Sequence, residues 1–189
     1  MFIEADQALF GAINSLAGRS SVLDHLAVFG ARYLIFMIVL LAFCLVFVSR
    51  VAAQRRLNLK IVIGAALSAG WGYLIDLLIA ALVNRPRPFT IGLGHDIYST
   101  MISSSSFPSR HTTIAFALAT MVFLGHKKFG AALLILAALV GLSRVFVGVH
   151  YPVDIIAGML IGAGVAYLVA KFLLPIFKAK VNWSDGNGS

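Results

Sequence analysis

The sequence predicts an all-α protein: a polytopic membrane helix bundle of five transmembrane helices plus an N-terminal amphipathic helix, which makes a six-helix core. Three observations predict it. Of the 189 residues 60% are hydrophobic and only 12% are charged, against roughly a quarter charged in a soluble domain. The apolar residues fall into five long runs. The basic residues gather at the ends of those runs.

The first element is amphipathic. Ile3, Leu9, Phe10, Ile13 and Leu16 recur at helical spacing, while Glu4, Asp6, Gln7 and Asn14 fall elsewhere. This pattern predicts a helix lying on the membrane or covering the bundle. Ser20 and Ser21 offer an N-cap for a second helical stretch that runs into the first span. The spans follow at Leu34–Val48, Ile61–Val83, Thr112–Gly125, Phe129–Leu142 and Val153–Phe177. A full crossing takes about 20 residues for roughly 30 Å of hydrocarbon. The third and fourth runs are shorter, so they reach only if the polar residues flanking them are also helical. The length suits one domain, residues 1–181, with interfacial helices in 1–30 and a disordered polar tail at 182–189.

The start, Met1-Phe2-Ile3-Glu4-Ala5-Asp6, lacks the positive region of a secretory signal, so a retained span is expected to direct insertion. The one cysteine, Cys44, sits inside an apolar run, which argues against disulfides and cysteine metal sites. A net charge of +8 could suggest nucleic acid. Its placement suggests topology signals and an anionic substrate instead.

Arg50, Arg55, Arg56 and Lys60 lie between spans one and two, Lys127 and Lys128 between spans three and four, and Lys171, Lys178 and Lys180 at the end of span five. The positive-inside rule assigns that side, and with it the C-terminus, to the cytoplasm. Arg85, Arg87, Arg110 and Arg144 then stand on the outer side, against the bias. Anion binding is the simplest reason for them.

Three outer segments hold these arginines. In Asn84-Arg85-Pro86-Arg87-Pro88-Phe89 the prolines end span two, and two guanidiniums suited to phosphate oxygens stand beside the membrane. Snorkelling arginines are the plain alternative. In Ser106-Phe107-Pro108-Ser109-Arg110-His111-Thr112 a helix starts with free N–H groups, a ready anion site. His111 lies in its first turn, placed to donate a proton or simply to hydrogen-bond at the interface. In Ser143-Arg144 through His150-Tyr151-Pro152-Val153-Asp154 the histidine and aspartate are four residues apart and share a face if helical. A carboxylate on Nδ1–H would leave Nε2 free as a nucleophile; a structural His–Asp pair is the alternative. All three segments fall on the same side of a topology drawn from unrelated lysines, which favours one shared site.

These residues resemble the type-2 phosphatidic acid phosphatase superfamily, whose motifs are Lys-x6-Arg-Pro, Pro-Ser-x-His and Ser-Arg-x5-His-x3-Asp. Pro108-Ser109-Arg110-His111 matches the second, and Ser143-Arg144 with His150 and Asp154 matches the third. The first matches in Arg87-Pro88 but has Ala80 where the lysine belongs. The resemblance implies a hydrolase without cofactor or metal. His150 attacks phosphorus, Asp154 orients it, and His111 protonates the leaving oxygen. Arg87, Arg144, Ser109 and nearby amides hold phosphoryl oxygens, with Ser143 beside them. Arg85 or Arg110 is expected to supply the missing lysine's charge. Asp76, an ionisable group inside a span, is expected to pair with a site arginine or to bond a neighbouring helix.

Within the superfamily, Arg85-Pro86-Arg87-Pro88-Phe89 and Gly148-Val149-His150-Tyr151-Pro152 are most similar to the bacitracin-resistance type of undecaprenyl pyrophosphate phosphatase. That type implies a bacterial plasma-membrane enzyme with an outward-facing site, recycling the lipid carrier of peptidoglycan synthesis. Its partners are a polyprenyl pyrophosphate and the bilayer, with no nucleic acid. Phosphatidylglycerophosphate or phosphatidate phosphatase is the nearest alternative. A phosphate-transferring relative and a lipid-phosphate transporter or binding protein are others; His111, His150 and Asp154 together favour chemistry.

Overall fold

The computed structural model describes residues 2–48, 51–98 and 105–173. Arg50, Lys178, Lys180 and the 182–189 tail lie outside the described residues. Seven α-helices are present among them: α1 (Phe2–Asn14), α2 (Ser21–Arg32), α3 (Leu34–Val48), α4 (Ala52–Val83), α5 (Arg110–Gly125), α6 (Lys127–Phe146) and α7 (Pro152–Leu173), with a 3-10 turn at Pro88–Ile91. No described residue lies in a strand.

By length and composition α4, α6 and α7 can each cross a membrane, and α2 with α3, bent by 51° between them, makes a fourth candidate. The third predicted span, α5, is the exception. Its 16 residues reach only about 24 Å. It is also the central helix, packed on α3, α4, α6 and α7, and it buries Thr112, Thr113, Ala115, Ala119, Met121 and Val122 among others. The flanking residues are helical, as the short third and fourth runs require: α5 starts at Arg110, and α6 continues through Ser143 and Arg144.

Small residues bring α7 against α5. A Cβ at Gly162 would overlap the Thr113 carbonyl, and one at Gly158 would lie 2.8 Å from the Ser109 carbonyl. Gly158-x-x-x-Gly162 is therefore a small-residue face that lets two backbones touch. The core below the site is built by Ile38, Ala42, Ile61, Met121, Leu133, Val140 and Ala166.

Chain direction puts the helix ends in two groups. α4 ends, α5 begins, α6 ends and α7 begins at the end that carries the outer motifs. Arg55, Arg56, Lys60, Lys127, Lys128 and Lys171 lie at the other end. α4 stops where Asn84 adopts a left-handed conformation (φ 43) and returns its N–H to the Ala80 carbonyl. Pro86 and Pro88 then prevent continuation.

Two N-terminal expectations are corrected. α1 covers the bundle, with Phe10 and Ile13 of the expected apolar stripe turned inward but Asp6 and Asn14 beside them. Asp6, Phe10, Asn14 and Ala17 are buried, and Ile3, Leu9 and Leu16 are exposed. The polar residues are inside because they have partners: Asn14 donates to the carbonyls of His95 and Phe146 and accepts from the His95 N–H. Ser20 precedes α2 but makes no side-chain cap. Asp24 instead folds back to accept the Gly18 N–H.

Candidate active site

The site forms where three loop-to-helix junctions meet. His150 stands on the short link between α6 and α7. That link turns through Gly148, whose φ of 87 suits glycine, and a Cβ there would meet the His95 carbonyl. His150 is 2% exposed. Its Nδ1 lies 2.8 Å from the Ser106 carbonyl oxygen, which can only accept, so Nδ1 carries the proton. Nε2 is then an unprotonated lone pair, 3.2 Å from Nη1 of Arg87. Burial, followed by the charges of Arg144 and Arg87, holds the imidazole well below its ordinary value of 6.5, with the Ser106 carbonyl pulling the other way.

Asp154 is near His150 but is not its closest partner. Oδ2 is 3.5 Å from Nδ1 and accepts the Tyr151 N–H at 2.9 Å. Oδ1 accepts from Arg85 at 2.7 Å. The sequence reading put the carboxylate directly on Nδ1–H, and the structure gives that proton to a backbone carbonyl. The reason is that His150 lies outside α7, which begins at Pro152, so regular helical i,i+4 geometry does not apply.

Arg87 is fixed by two carbonyls, donating to Val149 and to Ser105 at 2.9 Å each. Arg144 donates weakly to the Ala31 carbonyl at 3.3 Å, and its Nε has no hydrogen-bond partner among the described residues. Tyr98 lies 5.0 Å from Arg144 and 5.3 Å from Arg32. Ser109 precedes α5, donates its N–H to the Asp154 carbonyl and accepts from the Thr112 hydroxyl. The next three amides begin the helix and lack intrahelical partners. Burial, followed by the charges of Arg144, Arg110 and Arg87, pushes the His111 imidazole down to about 3.

Thus His150, His111, Asp154, Arg87, Ser109, Arg110 and Arg144 come to one place. Two expected phosphate ligands are differently engaged. Arg85 is held between Asp6 at 2.6 Å and Asp154 at 2.7 Å, 3.9 Å over the Tyr151 ring. Ser143 turns to α2, where its hydroxyl packs on Gly30. Asp76 is fully buried; Arg110 is the positive group acting on it. Its oxygens have no hydrogen-bond partner among the described residues, and Thr113 gives its hydroxyl to the Ser109 carbonyl. Asp6, Tyr98 and the carbonyls of Ser105 and Ser106 were missed. Only Asp6 left a signal, because Asp6, Phe10 and Asn14 form one stripe at four-residue spacing.

An all-helical bundle with apolar spans, and with paired histidines, an aspartate and several arginines at one end, defines a membrane-embedded class that acts on phosphoryl groups. The comparisons place it further. Residues 61–177 match the PAP2 superfamily. The chain is 31% identical over 166 residues to undecaprenyl-diphosphatase BcrC of Bacillus subtilis, covering 87% of this chain and 82% of that one. It is 33% identical over 156 residues to putative undecaprenyl-diphosphatase YbjG of Escherichia coli, covering 82% and 76%. Among solved structures, Aquifex aeolicus LpxE superposes with a TM-score of 0.67 at 30% identity, covering 87% of this chain and 93% of that one. The chain belongs to the PAP2 superfamily, and it is a hydrolase of the lipid phosphatase kind.

Proposed function

We propose that the protein removes the terminal phosphate of a polyprenyl pyrophosphate, undecaprenyl pyrophosphate first among them, through a phosphohistidine at His150. The observation that carries this is the state of His150: a neutral imidazole whose unprotonated Nε2 accepts from the Arg87 guanidinium. The substrate choice is supported by the printed names of the BcrC and YbjG relatives.

Nε2 forms a bond to the terminal phosphorus while the P–O bond to the inner phosphate breaks. The bond electrons go to the leaving oxygen, and His111, which takes up a proton as the anionic diphosphate binds beside it, supplies the proton. A water then attacks the phosphorus, His111 takes the water proton, and the N–P electrons return to Nε2 as phosphate departs. Arg87, Arg144, Arg110, Ser109 and the first amides of α5 bind the oxygens on which charge develops, and fixed donors there need no reorganisation. Two of the bonds that hold Arg87 go to neutral backbone carbonyls, which fix its guanidinium beside Nε2. The site is read on the outer face, with the C-terminus in the cytoplasm and residues 1–181 as one domain.

The test is phosphate release by purified protein in detergent, comparing a polyprenyl pyrophosphate with phosphatidate and phosphatidylglycerophosphate. The pyrophosphate is expected to give the highest kcat/KM, and His150→Ala to lose roughly a thousandfold or more. Near-native turnover in His150→Ala sinks the nucleophile, and preference for phosphatidate sinks the substrate.

A further inference from the structure

The described carboxylates near the site outnumber what its orientation requires. Asp154 sits beside His150, and Asp6 arrives from α1, far away in sequence. One cation, Arg85, bridges them: its Nη1 donates to Asp154 Oδ1 at 2.7 Å and its Nη2 to Asp6 Oδ2 at 2.6 Å. Asp6 is 6% exposed and Asp154 fully buried. Asp6 has a second bond, accepting the Val153 N–H at 3.0 Å through Oδ1. That amide belongs to the first turn of α7 and has no partner within its own helix.

Charge counting gives this arrangement a consequence. A neutral imidazole that keeps its Nδ1 proton and gains a phosphoryl group at Nε2 becomes a cationic ring. In a buried site the charge must be balanced by neighbours. The adjoining arginines are of the same sign and match the anionic phosphoryl oxygens, so the balance for the ring comes from its Nδ1 side, where Asp154 lies. Were Asp154 paired with Arg85 alone, that pair would be neutral and offer the ring little. With Asp6 sharing Arg85, the three groups together carry one negative charge.

We propose that Asp6 is a positioning residue for the reaction: by sharing Arg85 with Asp154 it leaves one net negative charge beside His150, and so makes the N-terminal helix part of the catalytic unit. The inference rests on reading His150 as the nucleophile. Asp6 touches neither substrate nor reacting atoms; it acts through Arg85 and Asp154.

Asp6→Asn separates the two roles of this side chain, since the amide oxygen still accepts from Val153 while the charge is lost. Its kcat for polyprenyl pyrophosphate is expected to fall about tenfold, a change of about 1.4 kcal/mol in the barrier, with KM within about twofold. The decisive comparison is the same substitution in an Arg85→Gln background. There Asp6 and Asp154 repel each other without a shared cation, so removing the Asp6 charge is expected to leave kcat unchanged or raise it. An Asp6 that merely anchors α1 loses the same factor in both backgrounds, and that result overturns the inference, as does native kcat in Asp6→Asn. Asp6→Glu, which keeps the charge and displaces the Val153 bond, is expected within about threefold of the native kcat. It decides the matter alone if Asp6→Asn does not fold, and a tenfold loss in Asp6→Glu counts against the charge. His150→Ala is run beside them. If it is active, the nucleophile is wrong; if it is inactive while the Asp6 variants behave as anchors, only the present inference fails.

Discussion

The nucleophile proposed at His150 has to meet its substrate unprotonated, and its surroundings favour that state in two ways. Burial and the charges of Arg144 and Arg87 depress its affinity for a proton. The Ser106 carbonyl claims the one proton it keeps. Because the folded value lies below the unfolded 6.5, the unfolded chain binds a proton that the folded chain refuses. From this group alone, stability is therefore constant above pH 6.5 and falls as the pH drops below it toward the folded value. For activity, log kcat/KM is expected to show no His150 break near 6.5 in a profile taken between about pH 5 and 8, once the substrate's own ionisation is subtracted. A break near 6.5 that moves upward in an Arg144→Gln variant contradicts this. The motif residues at the site were legible because their chemistry is in side chains at fixed spacing. The partner of Nδ1 was not, because a backbone carbonyl 44 positions away carries no residue type to read. Arg85 misled for a related reason: its arginine-proline context suggests phosphate, and its two carboxylate partners are visible only in three dimensions.

At the scale of elements, the site depends on how closely α7 approaches α5. Gly158 faces the Ser109 carbonyl and Gly162 the Thr113 carbonyl, one turn apart on α7. Thr113 donates both its N–H and its hydroxyl to the Ser109 carbonyl, and the Ser109 N–H donates to the Asp154 carbonyl. Spreading the helices at Gly158 therefore moves the serine motif relative to Asp154. Gly162→Ala, deeper in the bundle, is expected to cost stability, about 1–3 kcal/mol as for other overpacked contacts, read as a lower thermal midpoint in detergent. Gly158→Ala is expected to lower kcat as well, because it acts at the start of α5. Equal and native kcat in both, with native midpoints, would mean that the helix contact is slack. The glycine spacing on α7 was available in the sequence, but it points to a close partner without saying which helix. The face of α1 was read correctly only at Phe10 and Ile13, because hydrophobicity alone assigned it. Asp6 and Asn14 are inside on account of partners at positions 85, 95, 146 and 153, and the apolar residues left outside suit a lipid surroundings as well as a core.

The whole molecule is polarised along the helix axes, and this polarity supports a proposal for the side of the membrane on which the chemistry occurs. One end holds Arg55, Arg56, Lys60, Lys127 and Lys128, while the other holds Arg85, Arg87, Arg110 and Arg144. A bare count of arginine and lysine would nearly cancel, yet the two groups are physically different. Arg87 and Arg144 are each 2% exposed, and Arg85 is ion-paired to two carboxylates, so they belong to the site rather than to a loop attracted to the inner leaflet. Lys127 and Lys128 are exposed at the opposite end. The positive-inside bias applies to such short-loop charges, and on that ground we propose that the basic end is cytoplasmic and His150 outside. Single cysteines in a Cys44→Ser background test it. Asp96→Cys, on the exposed loop at the site end, is expected to react with a membrane-impermeant maleimide in intact cells. Lys128→Cys is expected to react only after lysis. The reverse pattern places the site inside, where a lipid pyrophosphate would have to be presented on the cytoplasmic leaflet. Labelling of both positions in intact cells would indicate a leaky preparation, which an untagged cytosolic cysteine protein in the same cells detects.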